Sequence, residues 1–200
     1  MKFIYALLFF FTLSMAGFAQ RGGYAVGQTV PNFTLTDKSG KSVALTDFAA
    51  GKAVVVVFVN ETCPNSRFYE KRLSRLATTY ANQGVTFLFL NPTISLELGG
   101  AQAKALADKV PAESAHLPLI PDPGQEVSRQ FGATKTPEAF LLQNQNGSFM
   151  LKYKGAIDDN PQLETSVRQA YLQNALDAVL ANKPVPALEI HAIGCMIKKF

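Results

Sequence analysis

The chain has 200 residues, 48% of them hydrophobic and 17% charged, which excludes an intrinsically disordered polymer and suits one globular domain. The formal charge is +4, yet the lysines and arginines are scattered and the longest basic cluster is Lys198-Lys199, so no phosphate-tracking surface and no nucleic-acid partner is expected. Two cysteines, Cys63 and Cys195, are too few for a disulfide-dense scaffold.

Residues 1–19 read as a signal peptide. Lys2 is the positive n-region, Phe3 to Met15 an apolar core, and Gly17-Phe18-Ala19 puts small residues where a signal peptidase reads. The apolar run falls short of the roughly 18–20 residues that span a bilayer, so no stable membrane span is expected. Cleavage near Ala19 predicts an exported product, periplasmic or extracellular, with residues 20–200 as its domain.

Phe33 to Thr36 and Ser42 to Leu45 flank the turn Asp37-Lys38-Ser39-Gly40 and predict a β-hairpin. Ala53 to Val59 is a β-branched run suited to a strand buried on both faces. A helix is expected from Pro64, a residue tolerated in the first helical turn, until Gly84 closes it. Val85 to Leu90 predicts a second buried strand, Ala101 to Val110 a helix, and Leu117 to Ile120 a short strand. Glu126 to Phe131 reads as a brief helix ended by Gly132. Ala139 to Leu142 and Phe149 to Tyr153 flank Asn144-Gln145-Asn146-Gly147, a hairpin turn. A long helix is expected from about Gln162 to Leu180, with Asp158-Asp159 capping it. The tail from about Pro184 shows no periodicity. This order predicts an α/β fold, a central mixed sheet with helices on both faces.

Cys63 stands between a strand and the first turn of a helix, where exposed N–H groups and the helix dipole favour a thiolate. Arg67, one turn on, adds a cation. The opposing reading is a buried, inert cysteine. Thr136-Pro137, before an apolar strand, either starts that strand or holds a cis bond.

Several segments in order resemble the thioredoxin-like superfamily, and within it the redoxin (AhpC/TSA, peroxiredoxin-like) group. They are F-V-N-E-T-C-P-N-S, L-N-P after the next strand, G-A-T-K-T-P-E-A-F-L, Y-K-G-A-I-D-D-N and the terminal G-C-M-I-K-K. The resemblance runs from about Val26 to the C-terminus and implies a three-layer sandwich. It implies that Cys63 is the nucleophile and that Pro137, with Thr136 beside it, is the cis-proline facing the sulfur. The second cysteine of C-x-x-C is replaced by Ser66, which either hydrogen-bonds the thiolate or is an ordinary first-turn serine, and the group's extra upstream cysteine by Asn60. The peroxidatic P-x-x-x-T-x-x-C is absent, since its positions hold Val56 and Asn60. Cys195 remains as a resolving cysteine or as one half of a structural disulfide.

Two functions follow from the resemblance. The first is an exported thiol–disulfide oxidoreductase or peroxide-reducing antioxidant, acting on a protein or small-molecule disulfide or a peroxide and restored by an external reductant. The second is a non-catalytic module that binds a protein or a metal, stapled by Cys63–Cys195. His116 and the His191-x-x-x-Cys195 spacing are the only hints of a metal, and neither a metal nor another cofactor is expected.

Overall fold

Val54, Val56 and Phe58 alternate with Val55 and Val57 along one strand, and all are fully buried, because each face of that strand meets its own apolar layer. The computed structural model describes residues 22–92, 94–95 and 117–198; the leader, the expected helix at Ala101 to Val110, and His116 lie outside them.

In chain order the strands begin with β1 (Thr29–Val30), β2 (Thr34–Thr36), β3 (Ser42–Ala44) and β4 (Ala53–Phe58). Helix α1 (Pro64–Ala81) leads to β5 (Val85–Pro92), β6 (Ile94–Ser95) and β7 (Leu119–Asp122). Then come α2 (Glu126–Phe131), β8 (Lys135–Thr136), β9 (Glu138–Gln145) and β10 (Ser148–Gly155). Helix α3 (Tyr171–Leu180), β11 (Glu189–Ile190) and β12 (Cys195–Ile197) complete the series.

The main sheet runs β1-β10-β9-β4-β5-β7, with β11 parallel to β10. It is mixed: β4 is parallel to β5 and β5 to β7, while β9 is antiparallel to β4 and β10. On one face Phe131 of α2 meets Tyr24, Phe33, Phe58 and Phe140 edge-on, at ring separations of 5.2 to 5.7 Å. Each such contact adds roughly 0.5–1.5 kcal/mol beyond burial. On the other face Leu73 and Tyr80 of α1 and Leu172 and Leu176 of α3 cover Val55, Leu141 and Tyr153.

Both hairpins form as the sequence predicts. Asp37 accepts the Ser39 and Lys41 amides (2.8 and 2.9 Å) in the first, and Asn146-Gly147, with φ of 55° and 89°, turns the second. Gly132, at φ 70°, ends α2. The strand expected at Leu117 to Ile120 sits two residues later, as β7.

The last helix is shorter than its expected span from Gln162. It starts at Tyr171, and Glu164–Ser166 is a separate 3-10 turn. Residues 162–166 are all exposed, so no apolar stripe extends the helix backwards, and the burying positions are Leu172, Ala175, Leu176 and Val179. The Asp159 backbone and side chain also hold the loop, through the Gln169 carbonyl and the Arg168 amide. Asp158, expected in the cap, is buried elsewhere, and the cap position is Ala170 with no side-chain bond. The tail adds β11 to the main sheet and places β12 between β6 and β8 in a separate three-stranded sheet.

Candidate active site

Beyond β4 the chain must turn from a buried strand into α1, and Asn60 directs that turn. Its Oδ1 accepts the Thr62 amide and hydroxyl (2.9 and 2.7 Å), and its own carbonyl accepts the Cys63 amide at 3.0 Å. Its Nδ2 donates to Asn91 Oδ1 and the Pro92 carbonyl (2.8 and 2.9 Å), which fixes the turn against the end of β5. Cys63 is thereby held at the N-cap of α1, with Pro64 first in the helix. The dipole of this 18-residue helix points its positive end at the sulfur.

The Cys63 sulfur is bonded to Cys195, with Cα atoms 6.0 Å apart across a sequence separation of 132 residues. It also lies 3.2 Å from the Thr136 carbonyl oxygen. The Thr136-Pro137 bond is cis, and Thr136 is fully buried, its hydroxyl without a hydrogen-bond partner among the described residues. The bond is enclosed: Cys63 is 0% and Cys195 5% exposed. The structure therefore brings Cys63, Cys195, Thr136 and Pro137 together.

Of the two roles open to Ser66, the one it fills is structural. Its hydroxyl is buried and accepts the Asn60 amide at 3.2 Å, so it braces the turn instead of bonding the sulfur. Arg67 touches Cys63 through its backbone amide, which donates to the Cys63 carbonyl at 3.1 Å. With its sulfur in the disulfide, Cys195 supplies no thiolate to a His191 site.

β12 carries Cys195 to this place. It pairs antiparallel with β8, Cys195 opposite Thr136 and Met196 opposite Lys135, and with β6 on its other side. Gly194 is required by close approach, because a Cβ there would lie 2.1 Å from the Thr136 carbonyl oxygen. Glu138 supports the loop before the proline by accepting the Thr134 and Lys135 amides (2.7 and 3.0 Å). Burial raises its pKa above the ordinary carboxylate value, and those two amides oppose the shift.

Sequence reasoning missed a buried polar group beside Pro137. Asp158 accepts the Tyr69 hydroxyl at 2.7 Å and pairs with Arg72, whose guanidinium also donates to the Asn160 carbonyl at 3.0 Å and sits 4.6 Å from the Tyr69 ring centre. Burial, and then the hydrogen bond to Asp158, push the Tyr69 phenol well above its usual range. Tyr69, Pro137, Asp158, Tyr171, His191 and Ile193 line a cavity of about 190 Å³ here. The signal in the sequence was one turn of α1, Tyr69 and Arg72 at i, i+3, facing the same way.

The family model for the AhpC/TSA family matches residues 26–159. The thiol-disulfide oxidoreductase ResA of Bacillus cereus is 26% identical over 145 residues, 72% of this chain and 79% of that protein. A hypothetical protein of Sinorhizobium meliloti superposes with a TM-score of 0.71 at 29% identity, covering 90% of this chain and 97% of its own. A Geobacillus kaustophilus protein superposes at 0.69 and 29%, covering 88% and 93%. A putative thiol:disulfide interchange protein DsbE of Chlorobium tepidum, at TM-score 0.52 and 24% identity over 78% of this chain and 98% of its own, shares the fold. With its family model spanning two thirds of the sequence, its mixed sheet flanked by helices and its cysteine at the N-cap of α1, this chain belongs to the AhpC/TSA family of thioredoxin-like proteins.

Proposed function

We propose that the protein is a thiol–disulfide oxidoreductase in which Cys63 is the nucleophile and Cys195 its resolving partner. The observation that carries this reading is the bond itself: it joins the N-cap cysteine of α1 to a strand seated against Thr136 and cis-Pro137. The names of the Bacillus relatives support the same class of reaction.

A two-electron reductant, a dithiol, first opens the bond to two thiols. The Cys63 thiolate attacks a substrate disulfide, one substrate sulfur leaves as thiolate, and a mixed disulfide forms. Cys195 thiolate then attacks the Cys63 sulfur, expels the second substrate thiolate and restores the bond. Substrate disulfide is reduced to two thiols and the protein is oxidised. The N-terminus of α1 stabilises the attacking thiolate by up to about 2 kcal/mol. Burial and the Thr136 carbonyl act the other way, since that oxygen accepts a hydrogen bond from a thiol and repels a thiolate. Both opposing effects weaken when β12 lifts and water reaches the sulfur, while the N-terminus of α1 stays in place.

The enclosure of the bond favours a second reading, a structural staple in a protein that binds a partner. Intact mass after alkylation, with and without reduction, followed by titration against a thiol redox buffer, separates the two. A bond that equilibrates in folded protein, with exchange activity abolished in Cys63→Ser, supports the oxidoreductase. A bond that opens only on unfolding leaves the staple.

Among the described residues no helix is long and apolar enough to cross a membrane. Residues 1–19 act as an export leader in this reading, supported by their sequence pattern alone. An N-terminus at Gln20 in exported protein, read by mass, is the expected result.

A further inference from the structure

β12 occupies a slot made for one strand. Among the described residues it is the only strand paired with β6 and the only strand paired with β8, so its departure leaves two facing backbone edges without partners. Exposed edges of this kind are templates for another extended chain. Three features of β12 define what fits. Cys195 lies opposite Thr136, at the Cys63 sulfur. The preceding residue must lack a side chain, since a Cβ on Gly194 would lie 2.1 Å from the Thr136 oxygen and 2.6 Å from its carbon. Two places after the cysteine, Ile197 is 7% exposed, packed into the apolar layer, and its amide donates to the Thr134 carbonyl at 3.0 Å. The intervening Met196 is 39% exposed and imposes little.

We infer that β12 is a resident stand-in for substrate. The slot between β6 and β8, vacated on reduction, docks an extended polypeptide whose cysteine follows a glycine and precedes an apolar residue two places on. This rests on the proposed exchange at Cys63 and names its substrate class. A small thiol such as glutathione has too little backbone to pair with both edges. The tail also drives release: Cys63 attacks the docked cysteine's disulfide and the outer sulfur leaves as thiolate. β12 then returns, its Cys195 thiolate attacks Cys63, and the guest departs as a thiol from the slot β12 refills. An external dithiol supplies the two electrons that reopen the bond.

The test uses reduced full-length Cys195→Ser and Gly194→Val/Cys195→Ser, the second designed to unseat β12 by the clash above. The probe is a peptide with the sequence of residues 192–199, Ala-Ile-Gly-Cys-Met-Ile-Lys-Lys, carrying thionitrobenzoate on its cysteine. Controls are the peptide with valine for its glycine, the peptide with aspartate for its second isoleucine, and the glutathione conjugate. Corrected for each probe's rate with free cysteine, the first peptide should release thionitrobenzoate about tenfold faster than any control, the yield of one or two net backbone hydrogen bonds. Amide exchange at residues 195 and 197 of wild type should speed up on reduction, a readout that survives if the double variant does not fold. Equal corrected rates for peptides and glutathione overturn the docking inference and leave the exchange reading intact. Unchanged amide protection on reduction overturns the vacated slot. No release by any probe from folded protein, with release after unfolding, removes both.

Discussion

Reducing the Cys63–Cys195 bond should destabilise the protein by an amount set by the loop it closes. The separation is 132 residues, for which loop-closure entropy in the unfolded chain gives roughly 5 kcal/mol at 25 °C. That is the expectation when β12 stays seated after reduction. When β12 lifts and β11 stays paired, the thiols remain tethered through the short stretch from Ile190 to Cys195. The loop-length term then leaves about 3 kcal/mol. The corresponding fall in Tm is roughly 5–20 °C for a domain of this size. By linkage the fold holds the bond closed by the same amount. At about 30 mV per 1.4 kcal/mol, the folded pair should lie roughly 60–110 mV below the same pair in unfolded chain. Urea unfolding of oxidised and reduced protein, with m compared as well as midpoint, measures the first quantity. Titration against dithiothreitol with and without denaturant measures the second. A stability difference under about 1 kcal/mol would refute the argument, because a closed loop of this length cannot leave the unfolded ensemble so free.

Three further outcomes follow from the residues around the bond. Asp158→Asn leaves the buried Arg72 with only the half-exposed Glu164, 4.0 Å from its Nε, as counter-charge and should cost about 3 kcal/mol in urea unfolding, far more than an exposed pair such as Arg75–Glu164 would. Asn60→Ala removes the donor to the Pro92 carbonyl and the acceptor for Thr62, so about 2–3 kcal/mol should be lost, with a change in the alkylation rate of reduced Cys63. Burial raises the Glu138 pKa, so the stability it contributes is full below the unfolded value and is lost as pH rises through the folded one. Glu138→Gln keeps an acceptor for the Thr134 and Lys135 amides. It should therefore flatten the pH dependence of unfolding just above the ordinary carboxylate range and leave the neutral-pH protein at least as stable as wild type.

The amino-acid order alone determined those features whose causes lie within a few residues. A β-branched run makes β4 a strand wherever it is placed, Pro64 suits a helix start, and the positive φ of Asn146-Gly147 and Gly132 follows from residue type. Cys63 at the strand–helix junction and Pro137 ahead of β9 were legible for the same reason. Tertiary structure alone decided the rest. β6, β8 and β12 have two or three residues each, too few to show a period, and exist because their backbone groups find each other across the chain. Asp158 left the expected cap because Arg72 and Tyr69, 86 and 89 residues away, offered stronger partners. Ser66 turned to Asn60 because the turn needed an acceptor for a buried amide. The closing of Cys63 on Cys195 belongs to the same class. Only a strand paired in one register against Thr136, with glycine where a Cβ would collide, brings the second sulfur to the first.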